Sequence, residues 1–204
     1  MVFYETSVMP INRQIAMETV TILGFAGSLR KASLNKMALN AAVKLAPENA
    51  KIEVFDLEGI PPFNQDFELD PPEKVKEFKA RIRAADAILI VTPEYNYSIP
   101  GVLKNAIDWV SRPRGDNALK EKPVAVMGAS IGMLGTARAQ YHLRQTFIFL
   151  QMHPVNLPEV MIPFAHQKFD ENGNLNDDFS KKVIADLLQA LVAWTKKLNA
   201  SRTS

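Results

Sequence analysis

The 204-residue sequence predicts an α/β domain built on a doubly wound, five-stranded parallel sheet of order 2-1-3-4-5. Three observations lead there. From Thr19 onward, short apolar runs rich in β-branched residues alternate with longer stretches of helical spacing, the rhythm of parallel strands joined by crossover helices. The run Ala87–Val91 (AILIV) is apolar throughout, as a strand buried on both faces must be. The irregular Gly- or Pro-rich segments follow the first, third and fourth strands, so all of them would gather at the sheet edge where such folds bind ligands.

Each element has its own signal. The first strand is Val20–Phe25, and the helix after it spans Asn35–Leu45, with Met37, Ala38, Ala41, Ala42 and Leu45 spaced for one apolar face. Pro47 stops it. The second strand, Ile52–Leu57, leads into GIPPFNQDFELDPP, which is too long for a plain link and is expected to be functional. Pro72 opens a helix running to about Ala84, with Val75, Phe78, Ala80 and Ile82 directed inward. The third strand, Ala87–Val91, ends in TPEYNYSIPG, whose prolines forbid regular structure throughout; a helix over Val102–Val110 follows. The fourth strand is Val124–Met127, then come the Gly-rich GASIGMLG and a helix over Thr136–Leu150. A fifth strand over Met152–Asn156 completes the sheet. The last helix is Phe179–Leu198, with an apolar stripe of Phe179, Val183, Ile184, Leu187, Leu188, Leu191 and Trp194. Residues 1–16, ahead of Met17, read as an extension, so the folded domain is expected over 19–200 and residues 1–18 are expected to be poorly ordered.

Composition removes several classes of function. Hydrophobic residues at 47% and charged residues at 23% are those of a soluble globular protein. With 24 Lys+Arg against 22 Asp+Glu the net charge is +2, so no nucleic-acid partner is expected and any anion site must be local. The absence of cysteine excludes disulfides, thiolate nucleophiles, Cys-based zinc sites and iron–sulfur clusters. His142, His153 and His166 are scattered, so no metal site is expected. No segment reaches the roughly 20 apolar residues of a membrane span. The first residues, broken by Glu5, Arg13 and Glu18, do not form a signal peptide, so a cytoplasmic protein without membrane partners is expected. The hard chemistry is left to a borrowed cofactor, and no side chain is singled out as catalytic.

Three segments carry the ligand chemistry. In GSLRKASLN, Gly27 permits a tight turn, Ser28, Ser33 and Asn35 are neutral donors, and Arg30 offers charge-assisted hydrogen bonds at a helix N-terminus, the needs of a phosphate. The plainer reading is a helix capped by Ser33. Neither a Walker loop nor a GxGxxG dinucleotide loop is present. In TPEYNYSIPG, Pro93, Tyr95, Asn96, Tyr97, Ile99 and Pro100 could wall a flat heteroaromatic ring, or could simply form a turn. In the third segment, Gly128, Gly132 and Gly135 allow close backbone approach and Ser130 can donate, while Arg138 and Arg144 are expected to be solvated.

Taken in order, GSLRKASLN, PEYNYSIPGVLKNAIDW and SIGMLGTARAQYHLR resemble the NAD(P)H-dependent FMN reductase family, in particular its chromate, quinone and azo-dye reductase branch, over about Thr19–Ala200. The resemblance implies a flavodoxin-like fold, bound FMN, NADPH or NADH as electron donor, and a homodimer or homotetramer. It also implies a phosphate loop of Ser28, Arg30, Ser33 and Asn35, a flavin-ring loop of Pro93, Glu94, Tyr95 and Asn96, and a contact from Ser130. Electrons would pass through FMN to quinones, flavins, azo compounds or metal oxyanions such as chromate. A flavodoxin-type electron carrier is the competing reading, although such carriers are usually strongly acidic and this chain is not. A flavin-free regulatory protein on the same fold is a third. The family's frequent paired glycine is here Gly135 followed by Thr136. Apolar residues in excess over 137–152, among them Tyr141, Phe147, Ile148 and Phe149, together with Ile107, Trp109 and Val110, are expected to serve a subunit interface.

Overall fold

Successive side chains of a strand point to opposite faces, so β1 (Val20–Ala26) sends Val20, Ile22 and Ala26 to one side and Leu23 and Phe25 to the other. The computed structural model describes residues 19–202, and the expected extension over 1–18 lies outside the described residues. The same division continues through β3 (Ala87–Val91) and β4 (Pro123–Ala129), both buried along their whole length. One face is covered by α1 (Leu34–Lys44) and α5 (Asp178–Arg202), through Ala38, Leu39, Ala42, Ile184, Leu187 and Leu191. The other is covered by α2 (Glu73–Ala84), α3 (Gly101–Val110) and α4 (Ala137–Leu150), through Phe78, Ile82, Leu103, Ile107, Leu143 and Phe147. Phe78 meets Phe25 edge-on and stacks on Phe55 at a centroid distance of 4.5 Å.

With β2 (Ala50–Phe55) at one edge, the sheet order is β2-β1-β3-β4-β5 and every pairing is parallel, the flavodoxin-like order the sequence predicts. The fifth position differs from expectation. Instead of one strand over Met152–Asn156 there are two short ones, β5 (His153–Pro154) against Pro123 and Val124, and β6 (Val160–Ile162) against Met127 to Ala129. Pro154 and Pro158 lack the N–H a continuous strand would donate, and the chain bends at 157–158 before rejoining β4.

Other departures have local causes. Ala80 is exposed, and Lys79 is buried in its place because its ammonium reaches Asp116 at 2.7 Å. Phe179, expected inside, is 71% exposed at the first turn of α5. The long 59–72 connection crosses to α3, where Phe63 N donates to Asn105 Oδ1 at 2.6 Å and Trp109 Nε1 donates to the Pro61 carbonyl at 2.8 Å. Of the apolar excess expected at an interface, Ile107, Trp109, Val110, Leu143, Phe147, Leu150 and Met152 are buried within the chain itself, leaving Tyr141, Ile148 and Phe149 exposed. Among the described residues no helix is long and apolar enough to cross a membrane.

Candidate functional site

The C-terminal ends of β1, β3 and β4 open into one crevice of about 280 Å³. Two backbone ties and one side-chain tie bring them together. Gly27 N donates to the Val91 carbonyl and Thr92 N to the Met127 carbonyl, each at 2.9 Å. The third tie is Asn35, whose amide side chain donates to the Ala129 carbonyl and accepts from the Ala129 N–H, again at 2.9 Å. A Cβ on Gly27 would lie 3.1 Å from Leu103 Cβ, so this glycine serves close packing on α3 rather than a left-handed turn.

Ser28, Arg30, Ser33, Asn35, Pro93, Glu94, Tyr95 and Ser130 all line the crevice, joined by Leu34, Ala129 and Ile131, which sequence reasoning missed. Asn96 does not line it and lies at the exposed tip of a turn.

At the 27–35 end Ser33 and Asn35 are engaged, while Ser28, Arg30 and the Leu34 amide are poorly occupied among the described residues. Among the described residues the Ser28 hydroxyl accepts only a long bond of 3.4 Å, from the Arg30 amide. Ser33 is the N-cap of α1, its Oγ accepting from Asn35 N at 3.2 Å and Lys36 N at 3.3 Å, so the capping reading is correct. The Leu34 amide has no acceptor among the described residues, and the Arg30 guanidinium, exposed, has no carboxylate partner among them. Nearby Lys36 is taken by Asp56 at 2.9 Å. Partial burial alone would raise the Asp56 carboxyl, but hydrogen bonds from Lys36 and the Glu58 amide outweigh it and hold the group below its usual value. Arg30 is thus the uncommitted cation among the lining residues, beside the positive end of a helix.

The other end is heavily committed. Tyr95 and Ser98 exchange backbone hydrogen bonds of 3.0 Å, closing a two-residue turn with Asn96 and Tyr97 at its tip. Glu94 Oε2 accepts from Arg138 N at 3.0 Å and Ala139 N at 3.2 Å, while Oε1 accepts from Arg138 Nε at 2.8 Å. Arg138 also lies over the Tyr97 ring at 3.5 Å, and Arg144 donates to the Val155 carbonyl at 2.9 Å, so neither arginine is merely solvated as expected. No local sequence signal announced this: Thr136 reads as the capping residue of α4, yet its side chain makes no cap hydrogen bond, and the Glu94 carboxylate takes that place.

At the third edge, Ser130 is fixed by its backbone, N donating to Ile162 and its carbonyl accepting from Ala165. Its Oγ accepts from Gly132 N at 3.1 Å and keeps its proton available. Ile131 and Met133 beyond it are 67% and 71% exposed and form an apolar lip. Thr136 is fully buried and packs on Gly128, where a Cβ would come within 2.1 Å of its Oγ1. The departure from a paired glycine is therefore accommodated by Gly128 of β4, the strand that feeds this loop.

An open crevice with an arginine unpaired among the described residues and the open Leu34 amide at one end, an apolar and aromatic wall in the middle and a rigid turn at the other suits a long ligand with an anionic end and a flat end. Residues 20–167 match the family of NADPH-dependent FMN reductases. An NAD(P)H-dependent FMN reductase of Pseudomonas aeruginosa is 52% identical over 182 residues, which cover 89% of this chain and 98% of that protein. A 2-hydroxy-1,4-benzoquinone reductase of a Burkholderia species is 42% identical over 170 residues, 83% of this chain and 93% of that one. Among solved structures, the flavoenzyme NAD(P)H:(acceptor) oxidoreductase FerB of Paracoccus denitrificans aligns with a TM-score of 0.81 at 37% identity, over 88% of this chain and 98% of that chain.

Proposed function

The chain belongs to the NADPH-dependent FMN reductase family, and on that premise we propose that the crevice holds FMN by its two ends, the phosphate at the 27–35 loop and the ring against the 93–98 turn. It is an NAD(P)H-dependent flavin oxidoreductase that reduces quinones. The residues present fit the cofactor. Arg30 without a carboxylate partner among the described residues, the Ser28 hydroxyl and the open Leu34 amide are a donor set for a dianion, and this set is the observation that carries the reading.

When bound, FMN supplies the redox chemistry, accepting a hydride equivalent from NADPH or NADH and passing electrons to the acceptor. The chain's own residues bind and orient. Pro93, Tyr95 and Ile131 supply flat and apolar wall, and Ser130 can donate from the third loop. The Tyr95 amide, spent on Ser98, cannot also serve the ligand, which leaves the backbone of Glu94 and Asn96 for that task. Acceptors are small molecules: quinones first, with free flavins, azo compounds and oxyanions such as chromate suited to the same open face. The working unit is residues 19–200, in the cytoplasm, as a homodimer or homotetramer using the exposed Tyr141, Ile148 and Phe149 on α4.

Two measurements test this. FMN-loaded protein mixed with NADPH should bleach rapidly and recover its colour on addition of a benzoquinone; protein that holds FMN but does not bleach would refute the reductase. Light scattering should give a multiple of the 22.8 kDa chain, and a fully active monomer would refute the shared interface.

A further inference from the structure

The turn of the ring loop places a tyrosine where the backbone resists it. Asn96 and Tyr97 both occupy the left-handed region, at φ 51° and 63°, which asparagine tolerates and tyrosine adopts at a cost. Contacts from outside must hold it, and they come from α4. The Glu94 carboxylate, just before the turn, takes the second and third amides of that helix, Arg138 and Ala139, and the Arg138 guanidinium. One turn further on, His142 Nδ1 meets Ser98 Oγ at 3.0 Å. Arg138, between them, covers the Tyr97 ring. On the near side, Thr92 Oγ1 donates to the Pro93 carbonyl at 2.8 Å.

We infer that Glu94 is a positioning residue for the flavin, acting through the N-terminus of α4 to fix the backbone of the ring loop rather than touching the ligand with its carboxylate. This rests on the FMN reading above. Both Glu94 oxygens are engaged, and the side chain is only 8% exposed. Its negative charge is met by a helix N-terminus and a guanidinium, so it does not oppose negative charge on a ring beside it. The helix end gains the cap it otherwise lacks. Loop and helix thus fix each other.

The test compares Glu94→Ala, Glu94→Gln and Arg138→Ala by fluorescence titration with FMN and with riboflavin, well below each variant's melting temperature. Glu94→Ala should weaken both flavins alike by about tenfold, the scale of one charge-assisted hydrogen bond. Glu94→Gln keeps an oxygen for the helix amides and should stay within about threefold of wild type. Arg138→Ala should add little in the Glu94→Ala background, because the two residues form one unit. Hydrogen exchange on the flavin-free chain should show faster amides at 94–98 and 138–139 in Glu94→Ala. Unchanged exchange, unchanged flavin affinity, or a Glu94→Gln as weak as Glu94→Ala beside a harmless Arg138→Ala would each overturn the inference. Wild-type protein that binds neither flavin would instead overturn the FMN reading beneath it.

Discussion

The two ends of the crevice are built on opposite principles. In the 27–35 loop two polar side chains are left nearly idle: among the described residues Arg30 pairs with no carboxylate and Ser28 accepts one long bond. In the 92–98 segment the groups that set the turn are spent on the protein itself, Glu94 on α4, the Tyr95 backbone on Ser98 and the Tyr97 face on Arg138. An idle donor can follow a charged, mobile group such as a phosphate. A committed loop can offer only its shape and its remaining backbone, which suits a rigid ring. The same residue types are therefore ligand groups in one place and internal fasteners in the other, and what separates them is how many partners they already have.

The largest expected effect falls on the committed end. In Gly128→Ala the new Cβ would sit 2.1 Å from Thr136 Oγ1 and 2.2 Å from the Thr92 carbonyl. The threonine side chain can rotate away but the carbonyl is backbone, so stability should fall by about 3 kcal/mol, seen as a lower denaturation midpoint. Since Thr92 begins the ring loop, FMN and riboflavin should both bind more weakly. At the idle end, Arg30→Ala should leave the melting temperature unchanged and cost FMN on the order of 1.5 to 3 kcal/mol, the value of a hydrogen bond to a charged group. Riboflavin, which has no phosphate, should bind wild type and Arg30→Ala equally. An Arg30→Ala that loses both flavins, or a Gly128→Ala that loses FMN alone, would erase the division between the two ends.

Asn35 tests where the division runs. Sequence reasoning groups it with the phosphate donors, yet its amide faces both backbone groups of Ala129 and is 3% exposed. Asn35→Ala would leave a buried N–H and a buried carbonyl unpaired at the end of β4, a loss of about 2 kcal/mol in stability measured by denaturant titration. Both flavins should weaken together, as at the committed end. Loss of FMN binding alone would return Asn35 to the phosphate loop.

What the sequence reveals follows from the range of the forces involved. Strand and helix positions are legible because burial imposes a period on neighbouring residues, as in AILIV of β3 and the Ile184–Leu191 stripe of α5. Arg30 and Ser28 are legible because a strand, a turn and a helix start are local. The Glu94–Arg138 pair spans 44 positions and the Asn35–Ala129 pair 94, and nothing in either segment by itself declares its partner. The split fifth strand is intermediate: Pro154 and Pro158 announce an interruption, but the return of Val160–Ile162 to β4 is set by the tertiary fold.

Ser33 gives the smallest effect and the finest discrimination, because it stands at the boundary of both roles. Its Oγ lone pairs face the amides of Asn35 and Lys36, so only its proton remains for a ligand. Ser33→Ala should cost about 1 kcal/mol of stability, the usual loss of an N-cap, and weaken FMN less than Arg30→Ala does. Ser33→Asp supplies an equally good cap and should recover that stability to within a few tenths of a kcal/mol. It also places a carboxylate beside Arg30 in the crevice, where it repels a phosphate and gives the arginine an internal partner. FMN should therefore bind Ser33→Asp about tenfold more weakly than Ser33→Ala, while riboflavin binds the two alike. Stability and FMN affinity then rank the two variants in opposite orders. If the better-capped variant were also the better FMN binder, the anion would not sit at this helix end, and the idle donors of the 27–35 loop would need another ligand.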